Sequence, residues 1–85
     1  MSTDGLLKHA AGVLAERSKT YGDPGRAMAA IAARWSITLG HTVTPAQVVL
    51  CMIDLKLARL ARDPKYRDGP IDVIGYAALL YEVTK

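Results

Sequence analysis

The chain has 85 residues, a formal charge of +3, one Cys and no Phe, and 51% of it is hydrophobic. That apolar fraction excludes a disordered chain, and a lone cysteine excludes an internal disulfide and cysteine-based metal spacing. The length predicts one domain over residues 1–85.

Ala, Leu, Ile and Val dominate, which favours close-packed helices over an aromatic-rich sheet. The polar start at Met1–Gly5 does not read as a secretory signal. The longest apolar run, Val48–Ile53, is too short to span a bilayer. The expectation is a cytosolic protein with no membrane partner. A small helical chain has a marginal core and often completes it by pairing, so a homo-oligomer is expected.

Four helices are predicted in turn. The first covers about Asp4–Ser18, where Leu6, Leu7, Ala10, Ala11, Val13 and Leu14 follow helical spacing. In "KTYGDPGRA", Gly22 supplies a turn, Asp23 a cap and Pro24 a first helical position. The second helix follows over Pro24–Leu39, with Met28, Ile31, Ala32, Trp35 and Leu39 on one face and Gly40 as its stop. "TPAQ" (Thr44–Gln47) has the form of a capping box and opens the third helix, Pro45 to about Arg62. This helix is apolar on nearly every side, which predicts a central position, with Cys51 as an inert buried thiol. Asp63-Pro64 closes it. The fourth begins at Asp68–Pro70 and runs to about Val83. It carries Ile71, Ile74, Ala78 and Tyr81 on one side and Asp72, Gly75, Tyr76 and Leu79 on another. Both sides read as buried. The result is an all-α, four-helix bundle-like domain.

The polar residues inside this apolar pattern are the candidate site. Lys56 and Arg59 lie three apart on the third helix. Charges there need partners, because an unpaired buried ion is destabilising by several kcal/mol. With a short connection the third and fourth helices are expected to run antiparallel, which offers Asp72 as that partner and brings Asp68 towards Arg59 or Arg62. Lys56, Arg59, Asp68, Asp72 and Tyr76 then form one polar cluster, beside Gly75, where a backbone or ligand can approach closely. A register-fixing ion-pair network accounts for the same residues, and Asp68 can serve as a plain N-cap. Tyr21-Gly22-Asp23 is a second candidate, because a helix N-terminus can bind an anion. On local evidence alone an ordinary turn and cap accounts for it better than a site does.

The run Lys56, Arg59, Arg62, Lys65, Arg67 could meet phosphate. Cations near a helix C-terminus also simply complement its dipole. No helix shows the basic face of a major-groove reader, which weighs against nucleic acid as partner. His9 and His41 stand alone, and there is no triad or phosphate loop.

The order "ERSKTYGD", then Lys56 and Arg59, then Asp68, Asp72 and Gly75-Tyr76-Ala77 resembles small phage and prophage proteins of unassigned activity. The match covers Glu16 to about Leu80. Those proteins in turn resemble the nucleotide-modification-associated proteins and the MazG-like all-α nucleotide pyrophosphohydrolases. The resemblance implies a helical fold with a nucleotide-sized site between helices. In MazG-like enzymes several Glu and Asp residues on two helices hold Mg²⁺, and Asp68 and Asp72 match the second pair. The first pair is replaced by Lys56 and Arg59, which suit direct phosphate binding without a metal.

Three readings follow. One is a non-catalytic nucleotide binder using Lys56, Arg59, Asp68, Asp72, Tyr76, Tyr21 and Asp23, which sequesters a nucleotide or a nucleotide-derived defence signal and needs no cofactor. The second is a Mg²⁺-dependent pyrophosphohydrolase, with Asp54 or Glu16 joining the ligand set. The third is a small inhibitor that binds a host enzyme.

Overall fold

The computed structural model describes residues 1–85 and contains four helices: α1 (Thr3–Tyr21), α2 (Pro24–Leu39), α3 (Pro45–Arg62) and α4 (Asp68–Thr84). No strand is present. The all-α expectation holds, and the predicted bounds of α2 and α3 match.

The helix ends follow from local chemistry. Ser2 Oγ accepts from the Gly5 N–H at 3.0 Å and starts α1. Asp23 Oδ2 accepts from the Arg26 N–H at 3.2 Å and starts α2. The capping box of α3 is complete: Gln47 N–H donates to Thr44 Oγ1 at 3.1 Å, and Thr44 N–H donates to Gln47 Oε1 at 2.9 Å. Gly22 and Gly40 take positive φ, 82° and 76°, and each sends its N–H back to a carbonyl of the last turn. Two expectations are corrected. α1 runs three residues past Ser18, because Gly22 rather than the polar run at its end stops it. Asp68 is not a cap. The residue before α4 is Arg67 in helical conformation with no side-chain cap bond. Asp68 sits in the first turn, where its charge complements the helix dipole.

The core lies between α2, α3 and α4. Met28, Ala32, Val43, Val48 and Val49 are buried, and Trp35, Ile53, Leu79 and Val83 pack around them. Ser36 ties the connection to this core, its Oγ accepting from the Val43 N–H at 2.8 Å and donating to the Ala32 carbonyl at 2.7 Å. α3 and α4 are antiparallel, as expected. Leu60 meets Gly69 and Lys56 meets Asp72, so contacts advance along one helix as they retreat along the other. α1 is antiparallel to α4 by the same test, through Arg17–Asp72 and Leu14–Gly75. Its one buried residue is Ala10, and it adds nothing to the main core.

α3 is less enclosed than its sequence predicts. Leu50, Cys51, Leu55 and Leu57 are exposed, so Cys51 is a surface thiol and not a buried one. Ala78 and Tyr81 on the first side of α4 are exposed too. The cause is shared: four helices supply too few neighbours to cover both sides of α3 and α4. No helix is long and apolar enough to cross a membrane.

Candidate functional site

Helical spacing builds the site. On α4, Asp72, Gly75, Tyr76 and Leu79 fall on one stripe, as their three- and four-residue steps require. On α1, Ala10, Leu14, Arg17 and Tyr21 do the same. These two stripes, with Lys56 of α3 and the start of α2, enclose a cleft of about 500 Å³. Leu14, Met28 and Leu79 form its apolar wall, Tyr21 and Tyr76 its aromatic one, and Arg17, Lys56 and Asp72 its charged one.

Asp72 is the centre. Its carboxylate side chain keeps only 8% of its exposure, and each oxygen faces a cation. Oδ2 lies 3.2 Å from Lys56 Nζ. Oδ1 accepts from Arg17 Nη2 at 3.3 Å. The Lys56 side chain is 13% exposed and that of Arg17 52%, so the triad runs from the interior to the cleft mouth. Two cations on one carboxylate leave a local charge of about +1 along the cleft wall, which favours an anion nearby. No buried side-chain polar atom is left without a partner.

The predicted residues divide as follows. Lys56, Asp72, Tyr76 and Tyr21 come together in the cleft, and Gly75 lines it. Arg59 does not: it is exposed, does not line the cleft and stands outside every ion pair. The expected pairing of Asp68 with Arg59 or Arg62 is absent as well, and Asp68 is exposed outside the cleft. Asp23 is taken up as the cap of α2, so its own carboxylate occupies the position an anion would need there. Asp54 is exposed, and Glu16 is a surface residue near Lys19.

Sequence reasoning missed Arg17 as a site residue. The signal was available: Arg17 continues the Ala10–Leu14 stripe by one step, and a cation on an apolar stripe asks for an acid across the interface. Ending the helix at Ser18 hid it, because Tyr21 then falls off the stripe.

The arrangement defines a helical protein with a basic, aromatic-walled cleft. The chain belongs to the family described as Domain of unknown function (DUF6378), whose model matches residues 5–84. Over 66 residues it is 35% identical to the "Gene 55 protein" of Mycobacterium phage L5, an alignment covering 76% of this chain and 42% of that protein. The chain thus spans less than half the length of this phage relative. No solved structure matches it. At the level of a phage-type helical protein of unassigned activity, the resemblance read from the sequence holds.

Proposed function

We propose that the cleft binds a nucleotide or a nucleotide-derived molecule, with its phosphate at Lys56 and Arg17. The observation that carries this reading is the pairing of those two cations on buried Asp72, inside a cleft of about 500 Å³ whose walls include two tyrosines. That volume falls in the range of small-molecule sites, roughly 300–1,000 Å³. Arg17 is half-exposed and can turn a donor to a phosphate oxygen while its stem stays in place. Tyr21 and Tyr76 offer ring faces for a base and hydroxyls for a sugar. Asp72 holds the cations in position and does not itself meet the phosphate. Binding without hydrolysis fits a role in sequestering a nucleotide signal, as the phage relationship invites. The MazG-like likeness belongs to the same proposal.

The hydrolytic alternative needs several oxygen ligands around Mg²⁺. The cleft offers one carboxylate, Asp72, already engaged by two cations, and nowhere do three His, Cys, Asp or Glu residues gather. The binder is therefore the reading the geometry favours.

The test is a thermal-shift screen against nucleoside mono- and triphosphates, cyclic dinucleotides and ADP-ribose derivatives, with and without Mg²⁺. A ligand at about 100 times its Kd adds roughly 2.7 kcal/mol, enough to move the melting point of a chain this small by 10 °C or more. A metal-independent shift, lost in Lys56→Met and Arg17→Met, is the expected result. A shift that requires Mg²⁺ and yields product overturns the binder in favour of the enzyme. No shift with any nucleotide leaves the triad a structural network and favours a protein partner.

A further inference from the structure

We infer that the cleft takes a nucleotide carrying a single phosphate group, and that Asp72 sets this limit. The inference rests on the nucleotide reading above and narrows it. Among the residues that line the cleft, Arg17 and Lys56 are the cations and Asp72 is the acid. Both cations already share that acid, with Lys56 Nζ 3.2 Å from Oδ2 and Arg17 Nη2 3.3 Å from Oδ1. What remains for a ligand is a formal charge of about +1. Donors are more plentiful than charge. Arg17 gives Asp72 a bond from one nitrogen of a guanidinium that carries five N–H groups, and an ammonium such as that of Lys56 carries three. The site can therefore surround one phosphate with hydrogens but cannot neutralise several.

A phosphomonoester carries a charge of about −1.5 to −2 at neutral pH, and a phosphodiester carries less. One such group uses up the positive charge of the cleft. The rim supplies none for a second. Glu16, next to Arg17 in α1, has its Oε2 3.9 Å from Lys19 Nζ. Asp23, at the α2 end of the cleft, stands one turn before Arg26. Each acid is matched by a cation, so the rim is neutral by count, and neither Lys19 nor Arg26 lines the cleft. Nor does the donor set suit a metal that could carry the extra charge. Both oxygens of Asp72 face cations, and nowhere do three His, Cys, Asp or Glu residues gather. The further phosphates of a di- or triphosphate thus meet the Asp72 carboxylate and a neutral rim, where they add repulsion and no new attraction. Such a built-in repulsive element discriminates between ligands that share a base and sugar.

Isothermal titration calorimetry of the 85-residue chain in EDTA tests this. The probes are adenosine, its 5′-monophosphate, its 3′,5′-cyclic monophosphate and its triphosphate, with the guanosine, cytidine and uridine sets in parallel. For the base that binds, a single-phosphate form should bind roughly 10- to 100-fold tighter than the nucleoside. The triphosphate should bind no tighter than the monophosphate. Either order between the cyclic and open monophosphates supports the inference and tells a diester from a monoester. Asp72→Asn raises the local charge to about +2, so the ratio of triphosphate to monophosphate affinity should rise about tenfold. That ratio compares two ligands on one protein, so a loss of stability in the variant cancels from it. The wild-type ratio needs no variant at all. A triphosphate that binds wild type about tenfold tighter than the monophosphate, or a ratio that Asp72→Asn leaves unchanged, overturns this inference while the nucleotide reading stands. Absence of binding by every nucleotide overturns both.

Discussion

Replacing Asp72 by Asn keeps the shape of the side chain and removes its charge. Lys56 and Arg17 then face each other without the carboxylate between them. Lys56 is 13% exposed, so losing its partner breaks a mostly buried pair and is destabilising by about 3 kcal/mol. Arg17 is 52% exposed and screened by water, so its share is below about 1 kcal/mol. At roughly 5 °C per kcal/mol for a chain of this length, melting followed by circular dichroism should fall by about 15 °C. A companion variant sharpens the argument. The double change Lys56→Met with Asp72→Leu removes both buried ions and fills their place with apolar side chains, and it should recover most of the loss. If Asp72→Asn melts within about 3 °C of wild type, the triad is not held together in solution, and the electrostatic basis of the cleft falls with it.

Two glycines on α4 should respond in opposite ways. A Cβ at Gly69 would lie 2.7 Å from Leu60 Cγ and closer still to Cδ2, so Gly69→Ala must displace the Leu60 side chain or part α3 from α4, and a loss of about 1–3 kcal/mol in urea unfolding is expected. At Gly75 the nearest atom is Leu14 Cδ2 at 3.6 Å, an ordinary contact, so Gly75→Ala should be neutral or stabilising by up to about 1 kcal/mol through helix propensity. Thr44→Ala removes one half of the capping box and should lower stability by about 1 kcal/mol in the same assay. Lys56→Met should weaken phosphate-bearing ligands by roughly 10- to 100-fold in calorimetric titration, the loss of one charge-assisted bond. Arg59→Met should leave that binding unchanged, since Arg59 lies outside the cleft.

The helices were legible in the sequence because their signals are local. Thr44 and Gln47, or Asp23 and Pro24, each fix an end within four residues. The Lys56–Asp72 pair was legible for a second reason: a short connection forces antiparallel packing, and antiparallel packing decides which residues meet. Arg17 was not legible in the same way. Its partner lies 55 residues away, and only the packing of α1 onto α4, rather than onto α3, brings them together. Arg59 and Asp68 failed for the converse reason, since sharing a neighbourhood in sequence does not fix rotation about a helix axis. The exposure of Cys51 and Leu57 was hidden because an apolar residue looks the same in sequence whether or not a neighbouring helix covers it.

α1 stands outside the main core, joined to α4 by the Ala10–Leu14 stripe and by Arg17. Such an element opens at lower free energy than the rest of the molecule. It also supplies Leu14, Arg17, Ser18 and Tyr21, one side of the cleft. Assembly of the site and docking of this helix are therefore the same event. A molecule held between Arg17 and Lys56 would act as a clasp, and its presence would be recorded as slowed amide exchange along α1 while the core amides, already protected, keep their rates.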